Sequence, residues 1–181
     1  MTRPVGMLVH TSGRCVFLYG KGEVMGFWNC IKYLAGIGVF SFVVGRILPK
    51  KWFQYDKFPY VIYQFENDGR IYEKIKIRSW QAKIPDMSRI FPKLMPAKKF
   101  NYNDVHRLPE MIQETCIAEF IHLLLCFAGL HCISIWEAGG VILAILNVIG
   151  NLPFVLVQRF NRPRLVRLMK NTEKRRSLCE Y

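Results

Sequence analysis

Between Arg107 and Arg159 the chain has no Lys or Arg, although 26 of its 181 residues are basic. A stretch of that length without a cation is not the surface of a soluble bundle, which needs charged faces to stay solvated. Acidic side chains are scarce too, 13 in all, leaving a net charge of +13. The six cysteines form no Cys-x-x-Cys pair and no Cys/His grouping at zinc spacing, so no metal site is expected. Cys116, Cys126 and Cys132 are expected to pack as small apolar residues. Cys15 and Cys179 fall on opposite sides of the topology derived below, so no disulfide is expected. No repeat or low-complexity tract is present. Met1-Thr2-Arg3-Pro4 leads into a mixed segment without the apolar core and small-residue cleavage site of a secretory signal.

What fills the cation-free interval is two apolar runs, residues 116–136 and 139–157, separated by Glu137-Ala138. At 1.5 Å per residue each is about long enough to cross a hydrocarbon core of roughly 30 Å. A third run, residues 27–48, is interrupted by Lys32, whose stem can snorkel. The expected fold is mainly α, one membrane domain of about three transmembrane helices. Its parts are an extracytoplasmic or re-entrant N-terminus (1–26), span 1 (27–48) as an uncleaved anchor, a basic, aromatic-rich interfacial cap (49–110), span 2 (111–136), span 3 (139–157) and a basic tail (158–181). The segment 49–108 carries 13 Lys and Arg, and 158–181 carries eight, against three in residues 1–23. The positive-inside rule therefore puts cap and tail in the cytoplasm and the N-terminus outside the cell membrane. Topology and attraction to anionic lipid account for these charges without nucleic acid, which is not expected as a partner.

Two segments admit local alternatives. Residues 5–10 and 15–19, flanking Thr11-Ser12-Gly13-Arg14, read as a short hairpin or a re-entrant segment. In the cap, Glu66-Asn67-Asp68-Gly69-Arg70 reads as a turn. The alternation that follows over residues 70–79 suits a short strand or an interfacial segment. Pro85, Pro92 and Pro96 argue against a long helix after it.

The chemistry-bearing residues converge at one depth. Thr115, Glu119, His122 and Cys126 follow a helical stripe, with Glu119 and His122 three apart and within reach of each other. Glu114 lies on the same broad side. A carboxylate beside an imidazole fixes its tautomer and stabilises the imidazolium, as a general base for an alcohol or amine requires. Counting outward from the hairpin turn sets His122 level with about Pro153, Glu119 with about Leu156 and Glu114 with about Asn161. The stripe thus faces the start of Gln158-Arg159-Phe160-Asn161-Arg162-Pro163-Arg164, whose cations can clamp a phosphate or an oxyanion. The bland readings are a polar pair holding helices together and a stop-transfer anchor. Asn147 and Asn151, four apart on the last span, bond to the partner helix, with Asn151 near enough to contact substrate. Pro153 kinks the span. His131 reads as structural, and His10 and His106 carry no pattern.

The run Glu114-Thr115-Cys116-Ile117-Ala118-Glu119-Phe120-Ile121-His122, then Asn151-Leu152-Pro153-Phe154 and Gln158 to Leu165, resembles the glycosyl-4,4'-diaponeurosporenoate acyltransferase family. These are small membrane enzymes of staphyloxanthin-type carotenoid biosynthesis. The resemblance extends upstream through Arg46, Pro49, Trp52-Phe53, Gly69-Arg70, Arg78, Trp80, Lys83 and Pro85. Ile117 stands where the family usually has an arginine, and Gln81 and Met87 where a basic residue and a glycine are usual.

The resemblance implies a membrane acyltransferase that moves a fatty acyl group from a thioester donor, acyl-CoA or an acyl-carrier, to a hydroxyl of a glycosylated lipid or carotenoid-like acceptor, with no bound cofactor. In that reading His122 is the general base, Glu119 orients it, and Glu114 orients it or binds acceptor hydroxyls. Arg159, Arg162 and Arg164, helped by Gln158 and Asn161, bind donor phosphates or the oxyanion; Asn151 and Trp80 complete the substrate-binding set. Apart from Cys126, one turn deeper, no Ser or Cys in the stripe has a nucleophile's context, so direct transfer is expected over an acyl-enzyme. Two rivals keep the same residues: an amine acceptor on a lipid or peptide, and a non-catalytic scaffold subunit recruiting a soluble enzyme through the cap. Three spans make a thin bundle, so a homo-oligomer is a further expectation.

Overall fold

A computed structural model describes residues 14–84 and 106–179. Among these, every regular element is helical and there is no strand. Three helices carry the architecture: α1 (Arg14–Ile47), α3 (Leu108–Gly129) and α5 (Glu137–Cys179). Stretches long and apolar enough to cross a membrane lie at Gly22–Ile47 within α1, at Leu108–Ile135 from α3 into the reversal after it, and at Gly139–Leu178 within α5. Their outer surfaces expose Val39, Phe40 and Ile47 on α1 and Ile142, Leu146 and Ile149 on α5. Such surfaces suit lipid, which asks for satisfied backbone rather than polar side chains.

α3 and α5 form the antiparallel hairpin. The chain reverses over residues 130–136, through a turn at Leu130-His131, the single-turn α4 (Cys132–Ile135) and an extended Trp136 (φ −147°). α1 docks against this reversal. Tyr33 donates its hydroxyl to the Ala128 carbonyl (2.9 Å) and sets its ring edge-on to His131, and Trp136 Nε1 donates to Glu23 (2.7 Å). Gly26 lies so close under the Trp136 ring that a Cβ would overlap it. Residues 14–19 are part of α1, so a strand there is ruled out; residues 5–10 lie outside the described residues.

The basic stretch after Val157 is not a separate tail in backbone terms. α5 runs through it to Cys179, with Pro153 and Pro163 inside the helix.

The cap folds as short helical pieces against the other end of the hairpin: 3-10 turns at Lys50–Trp52, Gln64–Ile75 and Gln81–Lys83, and α2 (Ile77–Trp80). The strand alternative for residues 70–79 is therefore overturned. Asn67, Asp68 and Gly69 adopt positive φ, as does Lys76. These left-handed residues break the extended repeat on which a strand depends. The turn read at residues 66–70 is where the chain changes direction. Pro85, Met87, Pro92 and Pro96 lie outside the described residues.

Gly69 (φ +84°) faces the Phe160 carbonyl and the Pro163 ring on α5. A Cβ there would be strained by its backbone and would sit 3.4 Å from that oxygen. Gly69→Ala is expected to lower stability by about 1–2 kcal/mol, the cost of a left-handed L-residue. A thermal melt of the purified protein would show it; an unchanged midpoint would mean the cap does not need this contact.

Candidate functional site

The cap's apolar base consists of Phe53, Tyr60, Cys116 and Ile117, with Leu48, Tyr55 and Ile121 around them. Ile117, the departure from the family arginine, is 6% exposed within this cluster. A cation there would lack solvent, so this chain uses the position for packing. Burial, with Cys116 and the Glu119 carboxylate adding to it, pushes the Tyr60 phenol up to about 12. It stays neutral.

Beside this base lies a network of four charged side chains. Glu119, 1% exposed, accepts from Arg159 Nε through Oε1 (2.8 Å) and from Arg162 Nη2 through Oε2. Arg162, also 1% exposed, further donates to Thr115 Oγ1 (3.0 Å), the Tyr60 carbonyl (2.9 Å) and the Thr115 carbonyl (3.3 Å). Thr115 can accept because its own proton goes to the Ile112 carbonyl (2.6 Å). Arg159 also donates to Glu66 Oε1 (3.0 Å) and to the Pro59 (2.6 Å) and Val61 (3.4 Å) carbonyls. Each guanidinium thus makes four donations of the five it has, all to protein groups. Two carboxylates balance two guanidiniums, which is the condition under which buried charge is tolerated.

Glu66 was legible only as part of a turn, yet it is buried at 3% exposure and ties the cap into the hairpin. Besides Arg159 it accepts from the Tyr63 amide (2.9 Å) and from the Tyr72 hydroxyl. Burial and that hydrogen bond hold the Tyr72 phenol well above its ordinary range, so it stays a donor. The only sequence signal for Glu66 is that it is one of a few acids in a predominantly basic segment.

One turn further along α3, His122 stands outside this network. Its Nδ1 lies 2.9 Å from Asn151 Oδ1, and its ring stacks on Phe154 at 4.4 Å with the planes 11° apart. Asn151 in turn donates from Nδ2 to the Asn147 carbonyl (2.9 Å) and Oδ1 (3.1 Å), and Asn147 donates to the Leu125 carbonyl (2.9 Å). A backbone carbonyl only accepts, so it fixes which end of the Asn151 amide is which. The end facing His122 is the oxygen, so Nδ1 is the donor, and in the neutral imidazole Nε2 then presents a lone pair. The chain Leu125–Asn147–Asn151–His122 begins and ends on α3, bracing the imidazole from both helices.

The remaining candidates divide. Glu114 pairs with Lys50 (3.0 Å), which also pairs with Glu110. Gln158 and Asn161, half-buried on α5, make no side-chain hydrogen bond among the described residues. Arg164 lies over the Phe160 ring (3.8 Å) and 3.6 Å from Glu73. Trp80 folds back onto its own segment, donating Nε1 to the Ile75 carbonyl (2.9 Å). Thus Glu119, Arg159 and Arg162 come together, His122 and Asn151 come together, and Glu114 and Trp80 join neither group. Among the described residues no three His, Cys, Asp or Glu side chains gather as a metal site.

A sequence model of the glycosyl-4,4'-diaponeurosporenoate acyltransferase family matches residues 49–171, which span the cap, the hairpin and the charged network. Proteins named glycosyl-4,4'-diaponeurosporenoate acyltransferase from Staphylococcus aureus strains MRSA252, N315 and USA300 are each 27% identical over 137 residues, covering 73% of this chain and 81% of theirs. No solved structure matches.

Proposed function

This chain belongs to the glycosyl-4,4'-diaponeurosporenoate acyltransferase family and is an acyltransferase, and from that premise we propose that it esterifies a sugar hydroxyl of a glycosylated, carotenoid-like lipid with a fatty acyl group from a thioester. His122 is the general base. The observation that carries this reading is the Asn151 amide held between Asn147 and His122, which in the neutral imidazole keeps the proton on Nδ1 and leaves Nε2 free to accept one.

The step balances without a cofactor. Nε2 takes the hydroxyl proton as the oxygen attacks the thioester carbonyl. The tetrahedral intermediate then collapses, the carbon–sulfur bond breaks, and the imidazolium returns the proton to the leaving thiolate. Gln158 and Asn161 offer amide donors on the helix that carries Asn151, suited to acceptor hydroxyls or to the oxyanion. Arg159 and Arg162 frame the site rather than bind donor, since four of the five donors on each are already engaged by protein groups. Glu119 holds those two arginines; the orienting role falls to Asn151. The cap and the C-terminal part of α5 lie in the cytoplasm, by the charge asymmetry of the chain, and meet the donor there.

The test is mass spectrometry of lipid extracts from producing cells with wild type and with His122→Ala at matched membrane levels. A product heavier by one acyl residue, present with wild type and missing with the variant, supports the reading. The acylated product at the same level in both extracts would remove His122 as the base. An acylated amine in place of an ester would move the acceptor to the amine class.

Asn151→Leu removes the partner of Nδ1. Losing such a hydrogen bond costs about 1–3 kcal/mol, which corresponds to roughly a 5- to 150-fold lower kcat. Were KM to rise at constant kcat, Asn151 would instead touch the substrate.

A further inference from the structure

With four of the five donors on each of Arg159 and Arg162 already engaged, the phosphates of a donor call for other cations, and three guanidiniums gather where the cap meets α5. Arg78 donates to Glu73 (2.5 Å), Arg164 lies 3.6 Å from the same carboxylate, and Arg167 donates to Asp68 (3.2 Å). The Arg78 hydrogen bond, then the charges of Arg78, Arg164 and Arg70, hold the Glu73 carboxyl below its usual range. Arg164 is also within electrostatic reach of Arg78 and Arg167.

Three guanidiniums thus share two carboxylates, leaving a positive surplus in one place. A charge run along one helix is ordinarily a solvated face. This group is different because it is assembled from segments about ninety positions apart and held in place. Gly69 packs against Phe160 and Pro163, Glu66 pins Arg159, and the Phe160 ring lies under Arg164. Arg78, Arg164 and Arg167 stay open, with side chains 64%, 39% and 56% exposed.

We propose that Arg78, Arg164 and Arg167 form a phosphate-binding site at the mouth of the hairpin, and that the phosphate belongs either to the thioester donor or to an anionic lipid headgroup. The donor identity deepens, and rests on, the acyl-transfer reading above. Phe154, Asn161 and Arg164 are seven and three apart, on one broad face of α5 at 100° per residue. Arg164 lies ten residues beyond Phe154, the ring stacked on His122. That is about 15 Å along the helix, a separation suited to an extended pantetheine arm between phosphate and sulfur. Guanidinium forks match phosphate oxygens in geometry as well as charge.

The full-length protein in phosphatidylcholine nanodiscs would be titrated with coenzyme A, with pantetheine as the phosphate-free control, and compared with an Arg78→Gln/Arg164→Gln variant shown monodisperse by gel filtration. The expected result is that coenzyme A binds, pantetheine does not, and the variant's Kd rises at least tenfold. If wild type instead retains phosphatidylglycerol from mixed nanodiscs, the variant loses it and coenzyme A never binds, the phosphate is the lipid's and the site stands. If wild type and variant bind both alike, or wild type binds neither, the proposal is overturned. His122→Ala separates the two ideas, because it should keep coenzyme A affinity while losing transfer. A variant that still transfers acyl groups while binding depends on the arginines would sink the base and leave the phosphate site.

Discussion

His122→Ala and His122→Gln both lower acyl transfer by about 10²- to 10⁴-fold, the range for removing a general base, while the protein accumulates in the membrane as wild type does. The second variant makes the test sharp. Glutamine at 122 can still donate to Asn151 Oδ1 and fill much of the space over Phe154, so it keeps what His122 contributes to packing. It has no basic nitrogen. Structural and chemical roles therefore separate: a purely structural histidine would leave the Gln variant near full activity. The readout is single-turnover acyl transfer at saturating donor, normalised to protein measured in the membrane. Full activity in His122→Gln would sink the base assignment, and loss of the protein itself in both variants would return His122 to a helix-packing role.

How far this site is legible without coordinates depends on which interaction carries it. The hairpin is written in the missing cations and the two apolar runs, and so is its register. Counting from the turn put His122 near Pro153 and Glu119 near Leu156; the contacts fall at Asn151 and Phe154 and at Arg159 and Arg162, all within about two turns of helix. Which neighbour each group chooses is not written there. Spacing along α3 favours a Glu119–His122 pair, but a carboxylate with two guanidiniums opposite gains more from them than from a neutral imidazole. The imidazole then takes the amide that Asn147 has already oriented. Glu66 was hidden for another reason. Its surroundings, Asn67-Asp68-Gly69, carry a strong turn signal, and a turn is ordinarily solvated. The left-handed backbone there is what lets the cap fold back and bury the acid against Arg159. In residues 70–79, alternating polarity suits a short strand or an interfacial segment, but local turns, with no strand among the described residues to pair with, make the segment helical.

Glu119→Ala is expected to reduce the amount of folded protein rather than to leave a well-folded, inactive one. The substitution strands Arg162, 1% exposed, with its charge uncompensated, and removes one of the two carboxylates that hold Arg159. Breaking one partner of a buried pair costs about 3–5 kcal/mol, a large share of the roughly 5–15 kcal/mol that holds a typical domain together. The loss should appear as a lower melting midpoint in detergent and as poor accumulation, in contrast with His122→Gln. Removing both charges together relieves the problem, because no ion is then left buried alone. Glu119→Leu/Arg162→Met should therefore recover part of the stability that either single change loses, and the coupling between them can be read from a double-mutant cycle. Recovery would be incomplete, since Arg162 also ties the Tyr60 and Thr115 carbonyls and Met offers them no donor. A Glu119→Ala protein that melts with wild type yet transfers nothing would give the opposite answer. It would mean that the carboxylate acts on the reaction through His122, as their spacing on α3 first suggests, and that the two arginines find other partners when it is gone.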